Sequence, residues 1–408
     1  MAARILAGPP LDAGPESLRD HLARLGPRPN ARAAIKELEA SGLLGRGGAG
    51  FPAGTKWRTV AARGGGDARV LANGAEGEPL SAKDRALMTL RPHLVLDGAL
   101  LAASAVGAAE VVLYVGAEHR HARSALSRAI GERAATRGGL PVPVTIVDAP
   151  TAYVAGEETA AVHFVNDRDA RPTAVPPRPF EAGVDGRPTL VQNVETLACA
   201  ALVARRGAAW YRERGSGTTP GTTLITVTGG SSPGVREIDL GTTVADVAGM
   251  AGARLAETSA VLLGGYFGGW APAADAWEIA LDPAALRERG RTLGAGVIAF
   301  LPAGQCGVRA TARIIAYMAA QSAAQCGPCV FGLRAIGDTL ERIAVGTGRS
   351  GDLARLDRWG RQLPGRGACR HPDGAAGHLA SALDAFGEEF RLHAATGRCS
   401  AGAAGRAA

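Results

Sequence analysis

Apolar and polar residues recur along the first half of the chain with two different periods. Residues 31–44, ARAAIKELEASGLL, repeat apolar positions every three or four residues, which predicts an amphipathic helix. Three short runs, RVLAN at 69–73, VVLYVG at 111–116 and VPVTIVDAP at 142–150, are rich in β-branched residues and predict strands. Because strands and helical stretches alternate from residue 31 to about 205, we predict a layered α/β domain.

The pattern changes after the turn-rich segment RGSGTTPG at 214–221. The runs TLITVTGG, REIDLGTTVADVAGMAG and VLLGGYFGGW follow in that order. They predict strand, hairpin, strand, helix and strand, which is the order of a small β-grasp domain over 220–300. Residues 307–345 and 375–393 read as helices, so we predict a helical domain over 305–395. We expect residues 1–30 to form an N-terminal extension and 396–408 a disordered tail.

The most apolar stretch, residues 93–118, carries two acidic residues, Asp97 and Glu110, and is interrupted by glycines. It therefore predicts a buried helix followed by a strand and no membrane span. No signal-peptide pattern opens the chain. We expect a cytoplasmic protein without direct membrane insertion, whose association with the inner face of a membrane would depend on a partner.

Composition narrows the class of protein. The chain has 408 residues, of which 46% are hydrophobic and 20% charged, as in a folded protein of two to three domains. Its 45 basic and 38 acidic side chains give a formal charge of +7. The basic residues are scattered and not interleaved with aromatics, which argues against nucleic acid and favours an acidic protein partner or a phosphorylated ligand.

A glycine-rich loop, GLLGRGGAGFPAGTKW, occupies residues 42–57. Gly45, Gly47 and Gly50 satisfy the G-x-G-x-x-G pattern, but a predicted helix precedes them where a dinucleotide fingerprint requires a strand. Thr55 separates Gly54 from Lys56, so the loop is no Walker A motif. Two interpretations stay open: a plain surface turn, or a backbone that cradles a phosphate or planar ring beside the lysine charge.

Three further segments carry polar residues typical of a ligand site. They are NGAEGEPLSAKDR at 73–85, YVAGEETA at 153–160 and GRPTLVQNVETLA at 186–198. The first follows a predicted strand, and ligands bind beyond strand ends in open α/β sheets. Each segment alone fits a solvated face, but the three together indicate a site.

In order and spacing, these segments resemble the NADH-oxidising flavoprotein subunit of respiratory complex I (the 51 kDa or F-subunit type). They are also similar to the diaphorase subunits of NAD-linked hydrogenases and formate dehydrogenases. The resemblance covers about residues 38–392. It implies a Rossmann-like FMN-binding domain over 31–205, a ubiquitin-like, SLBB-type β-grasp domain and a helical bundle that carries a [4Fe–4S] cluster.

The same resemblance implies the site residues. FMN would be held by Gly45, Arg46, Gly47, Gly48, Lys56, Asn73, Glu76, Tyr153, Gly156, Gln192, Asn193 and Thr196. Phe51 would stack on NADH, and the catalytic site at the nicotinamide and ribose would be lined by Glu78, Glu157 and Glu158. The expected reaction is hydride transfer from NADH to FMN, which then releases electrons singly. Carboxylates beside the ribose would disfavour the 2′-phosphate of NADPH.

The cysteines match the family in part. In SAAQCGPCVFG, residues 322–332, Cys326 and Cys329 match the second and third cluster ligands, and Cys369 matches the distant fourth. Ala323 stands where the family has its first cysteine. Either His371 or Cys306 could supply the missing ligand, a [3Fe–4S] cluster could form on three cysteines, or the site could hold zinc or no metal at all. Cys199 and Cys399 have no cysteine neighbour in sequence.

Two departures leave a rival function open. Ala75 replaces a carboxylate that the family carries near the flavin, and Ala323 replaces a thiol. A non-catalytic structural paralogue would tolerate both losses. The enzyme hypothesis requires an electron-accepting partner, namely a ferredoxin, a quinone-reducing complex or a membrane redox protein. A ferredoxin:NAD reductase working in the reverse direction would use the same residues.

Overall fold

A computed structural model describes residues 3–401, which divide into two compact units. The first unit contains residues up to 225 together with 235–241, and the second contains residues 226–234 and those from 242 onward. The predicted N-terminal extension belongs to the first unit. The predicted helical domain and most of the predicted β-grasp domain lie in the second, whereas residues 220–225 and 235–241 of the β-grasp range belong to the first.

The first unit alternates helices and strands, as predicted. Its helices are α1 (Leu18–Leu25), α2 (Ala34–Ser41), α3 (Ala53–Gly64), α4 (Lys83–Leu90), α5 (Pro92–Val106), α6 (Arg120–Ala134), α7 (Glu158–Asp167) and α8 (Val194–Arg212). Its parallel strands are β1 (Ala68–Gly74), β2 (Ala108–Gly116), β3 (Val144–Ala149) and β4 (Thr189–Asn193). The predicted strands at 69–73, 111–116 and 142–150 are thus found, with ends that differ by at most three residues.

The four parallel strands lie in the order β3-β2-β1-β4. The chain therefore builds the sheet outward from β1 in one direction and then returns to the other side of β1. In register, Asn73 at the end of β1 lies opposite Asn193 at the end of β4. This is the topological switch point, where ligands bind in open α/β sheets. The Rossmann-like prediction is confirmed.

Helix α5 explains the acidic residue in the most apolar stretch. Asp97 is 1% exposed, and its carboxylate lies 2.7 Å from His21 Nε2, 2.8 Å from Arg133 and beside Arg205. Burial alone would raise the pKa of Asp97, but these partners hold it at about 2. Among residues 3–401, no single helix has the length and hydropathy to cross a membrane, although the bent pair α4–α5 passes on those two criteria.

The N-terminal segment is tied to the first unit by its backbone. The amides of Arg4, Ile5 and Leu6 donate to the carboxylate of Glu237 at 2.9–3.0 Å. Ile5 and Leu6 are buried. The segment is therefore packed into the first unit as part of its core.

A second sheet contains the strands β5 (Thr222–Thr228), β6 (Gly234–Asp239), β7 (Thr258–Leu263), β8 (Gly269–Pro272) and β9 (Val297–Pro302). Their order is β6-β5-β9-β7-β8. Strand β5 pairs parallel with β9, and β7 pairs antiparallel with both β8 and β9. Three helices accompany it: α9 (Val244–Ala251), α10 (Ala273–Ala276) and α11 (Pro283–Glu288). This mixed sheet agrees with the predicted β-grasp order.

The remainder of the second unit is helical. It contains α12 (Gly307–Ala320), α13 (Arg334–Ala344), α14 (Asp352–Gln362), α15 (His371–Ala385) and α16 (Gly387–Thr396). The helix predicted over 307–345 is interrupted after Ala320, and a π-helical turn at Pro328–Leu333 leads into α13. Helix α14 was not predicted. The predicted tail begins within α16, its residues 397–401 are placed in the structure, and residues 402–408 lie outside the described part of the chain.

Candidate functional site

The glycine loop is closed at its base. The amide of Gly45 donates to the carbonyl of Phe51 at 2.9 Å, and the amide of Ala53 donates to that of Leu43 at 2.9 Å. Helix α2 precedes the loop and α3 follows it, so the loop differs from a dinucleotide fingerprint, as the sequence indicated. Phe51 is 53% exposed at the loop. A large exposed aromatic ring on a fixed loop is suited to stacking on a planar ligand.

The loop lies against the N-terminus of α8. The amide of Arg46 donates to Thr196 Oγ1 at 2.8 Å, and a Cβ at Gly47 would lie 3.3 Å from that of Asn193. The Asn193 side chain caps α8 by accepting from the amides of Glu195 and Thr196. Helix N-termini favour anions because their amides lack intrahelical acceptors. The glycines therefore allow a close approach at a place where a phosphate is favoured.

Residues 73–78 and residues 153–156 meet beyond the carboxyl ends of the parallel strands. Asn73 Nδ2 donates to the carbonyl of Gly156 at 2.8 Å, and the hydroxyl of Tyr153 donates to Glu78 Oε2 at 3.1 Å. A Cβ at Gly77 would lie 2.7 Å from the carbonyl oxygen of Tyr153, which no side chain tolerates without a shift. Asn73, Glu78, Tyr153 and Gly156 are thus brought together, as the site hypothesis requires.

The acidic residues of the site divide into two groups. Lys56 Nζ lies 3.0 Å from Glu158 Oε2, so a predicted flavin ligand and a predicted nucleotide ligand form an ion pair. Glu157 instead caps α7, where its carboxylate accepts from the amides of Thr159 and Ala160 at 2.9 and 3.0 Å. A capping carboxylate stabilises a helix N-terminus, so Glu157 has a structural role that the sequence pattern did not reveal.

Glu76 and Arg46 also have structural contacts. The carboxylate of Glu76 accepts from the Ser81 hydroxyl at 2.6 Å and from the amides of Asp84 and Arg85 at 2.8 and 2.9 Å. The Arg46 guanidinium is buried and donates to the Tyr211 hydroxyl and the Thr222 carbonyl. Both side chains hold elements of the site in place.

A buried charge cluster next to the site could not be predicted from the sequence. Lys83 Nζ lies 2.8 Å from both Asp84 Oδ1 and Glu195 Oε2, and Asn193 Nδ2 donates to Asp84 Oδ2 at 2.7 Å. Burial and the nearby carboxylates raise the pKa of Asp84, although the Lys83 ammonium opposes this. In the sequence, the cluster is indicated only by the dipeptide Lys83-Asp84 within the segment 73–85. Nothing in the sequence indicates that Glu195, 112 residues from Lys83, joins it.

One buried polar atom tests whether this region fits a cofactor. The side-chain oxygen of Gln192 is buried and has no hydrogen-bond partner within residues 3–401. Its amide nitrogen lies 4.0 Å from the position of a Cβ at Gly45. An orphaned buried acceptor is costly unless a ligand donates to it. The residues present therefore fit a bound group with polar edges, such as a flavin.

In the second unit, three thiols are gathered at the π-helical turn. Cys329 is 4% exposed. Burial raises the pKa of its thiol to about 12, the neighbouring thiols of Cys326 and Cys369 also act to raise it, and a hydrogen bond with Ser322 opposes them. Iron binding would release the protons of these thiols. The donor set fits an iron–sulfur group held by three cysteines.

The loop before Cys326 keeps a conformation suited to glycine. Ala324 has φ = 56°, in the left-handed region that disfavours side chains. The position before it is Ala323, where the resemblance implies a cysteine. The loop backbone therefore adopts a conformation that glycine would favour, next to the position of the missing thiol.

The two candidates for the missing ligand have different surroundings. His371 is buried, and its Nε2 donates to the carbonyl of Met318 at 2.7 Å, which leaves Nδ1 as the lone-pair nitrogen of the neutral ring. Cys306 lies in a separate cluster with Glu389, His393 and Cys399. The hypothesis that Cys306 completes the first cluster therefore lacks structural support. Cys399, isolated in the sequence, has a cysteine neighbour in the fold.

A parallel sheet with its site at the switch point, followed by a β-grasp sheet and a helical cysteine site, defines a nucleotide-binding redox flavoprotein. The family model of the Nuo51 FMN-binding domain matches residues 38–201. That of the NADH-ubiquinone oxidoreductase-F iron-sulfur binding region matches residues 309–393.

Relatives and solved structures extend this match over most of the chain. An F subunit of the NADH-quinone oxidoreductase of Rhizobium meliloti is 34% identical over 90% of this chain and 89% of its own. The corresponding F subunit of Streptomyces coelicolor is 31% identical over 89% and 83%. A crystal structure of an NAD+-reducing [NiFe]-hydrogenase in the H2-reduced state aligns with TM-score 0.79 and 30% identity, covering 89% of this chain and 62% of that one.

The chain therefore belongs to the family of NADH-quinone oxidoreductase F subunits, flavoproteins with FMN-binding and iron–sulfur-binding domains. The resemblance drawn from the sequence is confirmed.

Proposed function

We propose that this chain takes a hydride from NADH onto FMN and passes the electrons singly through an iron–sulfur cluster to a partner protein. The observation that carries the proposal is the convergence at the switch point of the closed glycine loop, the capped N-terminus of α8 and the segments 73–78 and 153–158. FMN, when bound, would supply both hydride acceptance and the change to single-electron transfer. The protein has to hold and orient the two nucleotides.

Different residues would bind the phosphate and the isoalloxazine ring of FMN. The backbone of the loop at Gly45, Gly47 and Gly48, with the N-terminus of α8, would receive the phosphate, and Lys56 would add a point charge. The side chain of Gln192 would accept from the isoalloxazine edge, since its oxygen otherwise stays orphaned. Further contacts would come from Asn73, Glu76, Tyr153, Gly156, Asn193 and Thr196, with Arg46 positioning the loop.

NADH would be held by Phe51 of the loop together with two carboxylates, Glu78 and Glu158, of the neighbouring segments. Phe51 would stack on a base or nicotinamide ring. Glu78, fixed by the Tyr153 hydroxyl, and Glu158, paired with Lys56, would accept from ribose or carboxamide groups. Glu157 would act through the position of α7. Negative charge beside the ribose repels a 2′-phosphate, so we expect NADH to be preferred to NADPH.

Cys326, Cys329 and Cys369 would bind the cluster, with Nδ1 of His371 as the candidate fourth ligand. We propose that the acceptor is another redox subunit, either a ferredoxin or a quinone-reducing or other membrane redox protein, which would bring the chain to the inner face of a membrane. The opposite direction, from ferredoxin to NAD, would use the same residues. The initial rates of the two reactions would distinguish the directions.

The test is anaerobic purification of the full chain, quantitation of flavin and iron, and EPR before and after NADH. We expect one FMN per chain that NADH bleaches and a signal from a reduced cluster. Bleaching by NADPH at an equal or higher rate would contradict the proposed carboxylate role. Absence of flavin under conditions where the chain is folded would overturn the proposal and support the structural paralogue, which Ala75 and Ala323 leave open.

A further inference from the structure

A second group of metal-ligating side chains lies in the second unit, outside the cysteine site already described. The ligand atoms of Cys306, Glu389, His393 and Cys399 all lie within 4.8 Å of one another. We propose that these four residues bind a structural zinc ion. The site is distinct from the iron–sulfur site, since it uses none of Cys326, Cys329 and Cys369.

The interatomic distances agree with tetrahedral zinc. His393 Nε2 lies 3.4 Å from Cys306 Sγ and 3.3 Å from Glu389 Oε1. With zinc bonds of about 2.0–2.3 Å, neighbouring ligand atoms of a tetrahedron are roughly 3.3–3.8 Å apart. Two sulfurs, one imidazole nitrogen and one carboxylate oxygen complete four-coordination with no open position. A closed set of this kind is typical of a structural site.

The orientation of His393 supports its role as a ligand. The ring is 1% exposed, and Nδ1 lies 3.2 Å from the carbonyl oxygen of Ile343. A carbonyl only accepts, so Nδ1 carries the hydrogen and Nε2 holds the lone pair of the neutral ring. Metal-bound histidines commonly have such a backbone partner, which fixes the tautomer. Without a metal, the lone pair of Nε2 would face the oxygen of Glu389 unless a proton replaced it.

The chain brings the four residues together from two places. Cys306 caps α12, where its sulfur accepts from the amide of Arg309 at 3.4 Å. Glu389 and His393 are one turn apart on α16, and Cys399 follows that helix. The amide of Ser400 donates to Glu389 Oε1 at 2.9 Å, which fixes the segment that carries Cys399. The ion would link the start of α12 to the segment after α16, and its contribution would be to stability.

The experiment measures metal in the full-length protein with single variants of both cysteines. We expect anaerobically purified chain to contain about one zinc in addition to its iron. In Cys306→Ser and Cys399→Ser we expect zinc affinity to fall at least tenfold in competition with a chromophoric chelator, with iron unchanged. Cys199→Ala is the matched control, because Cys199 is buried in α8 and belongs to neither set, so its loss should leave both metals in place.

A second measurement covers the possibility that Cys306→Ser disturbs the fold of α12. Cys399 follows the last long helix, so Cys399→Ser should fold, and its circular dichroism should match the parent. A chelator should lower the melting temperature of the parent but not of Cys399→Ser. The proposal is overturned if stripped parent protein binds no zinc, if zinc persists when both cysteines are replaced, or if mass spectrometry finds Cys306 and Cys399 joined in a disulfide in protein kept under anaerobic conditions.

Discussion

The flavin region and the cysteine loop differ in which of their expected features, backbone conformation or side chains, are present. Around the glycine loop, backbone contacts and an ion pair are both present: Gly45 is hydrogen-bonded to Phe51, Arg46 to Thr196, and Lys56 is paired with Glu158. In the cysteine loop, Ala324 keeps a positive φ of 56°, while the thiol expected at Ala323 is absent. The proposed flavin site is built largely from backbone beyond the carboxyl ends of the parallel strands, whereas the proposed cluster site depends on a few individual side chains.

The two sites should differ in their sensitivity to a single change. We expect a site built on backbone to tolerate loss of one side chain, such as the carboxylate missing at Ala75, because the loop, the helix terminus and the strand ends still converge. A site of thiolates loses a coordination position with each residue replaced. The flavin site should therefore be broken by added volume, and the cluster site by removed ligands.

The largest effect is expected from Gly77→Ala. The new Cβ would lie 2.7 Å from the carbonyl oxygen of Tyr153, so the segments after β1 and β3 would have to separate. We expect FMN occupancy to fall more than tenfold with the iron content unchanged, measured by flavin fluorescence after release. Gly131→Ala in α6 is the control, because a Cβ there meets nothing within 4 Å and should stabilise the helix by about 0.5–1 kcal/mol. Full flavin in Gly77→Ala would show that the two segments do not form the site.

Cys369→Ala should remove the cluster while FMN remains. We expect the iron content to fall close to zero, because only Cys326 and Cys329 of the three gathered cysteines would be left. NADH should still reduce an artificial acceptor that takes electrons from the flavin. Iron assays and a dye-reduction rate check both statements. If iron stays at the parental level, Cys369 is no ligand, and if flavin is lost as well, the independence of the two sites is contradicted.

The sequence allowed most of the fold and the main site segments to be predicted. Strands β1 to β3 and helix α5 followed from periodicity and composition, and the glycine loop and paired acids marked the site. What could not be predicted depends on contacts between distant residues. Lys83 meets Glu195 and Cys306 meets His393 only through the fold. The sequence pair Glu157-Glu158 also does not reveal that the first caps α7 and the second binds Lys56.

An intermediate effect is expected at the ion pair of Lys56 and Glu158. Both side chains are partly exposed, so breaking the pair should change the free energy of unfolding by less than about 1 kcal/mol. Loss of a charged hydrogen bond to the FMN phosphate costs more free energy than loss of this ion pair. Lys56→Met should therefore weaken FMN binding by about tenfold or more. Glu158→Gln should raise the KM for NADH and leave FMN binding close to that of the parent. Equal effects of both variants on FMN would assign Glu158 to the flavin.

The smallest effect is expected from Ala324→Gly. A residue with a side chain at φ = 56° costs roughly 1–2 kcal/mol, of which glycine's greater freedom in the unfolded chain cancels a part. We expect the second unit to gain about 0.5–1 kcal/mol in chemical denaturation. The matched control in the first unit is Arg168→Gly, because Arg168, which follows α7, also has a positive φ of 63°.

The iron content of Ala324→Gly then distinguishes two explanations of the cysteine loop. If the loop already holds Cys326 in its binding position, glycine adds stability and the iron content does not change. A higher iron content would mean that strain at Ala324 displaces the thiols, so that the backbone as well as the thiol missing at Ala323 limits the cluster site. The contrast with the flavin region would then be smaller, because both sites would depend on the backbone conformation that glycine permits.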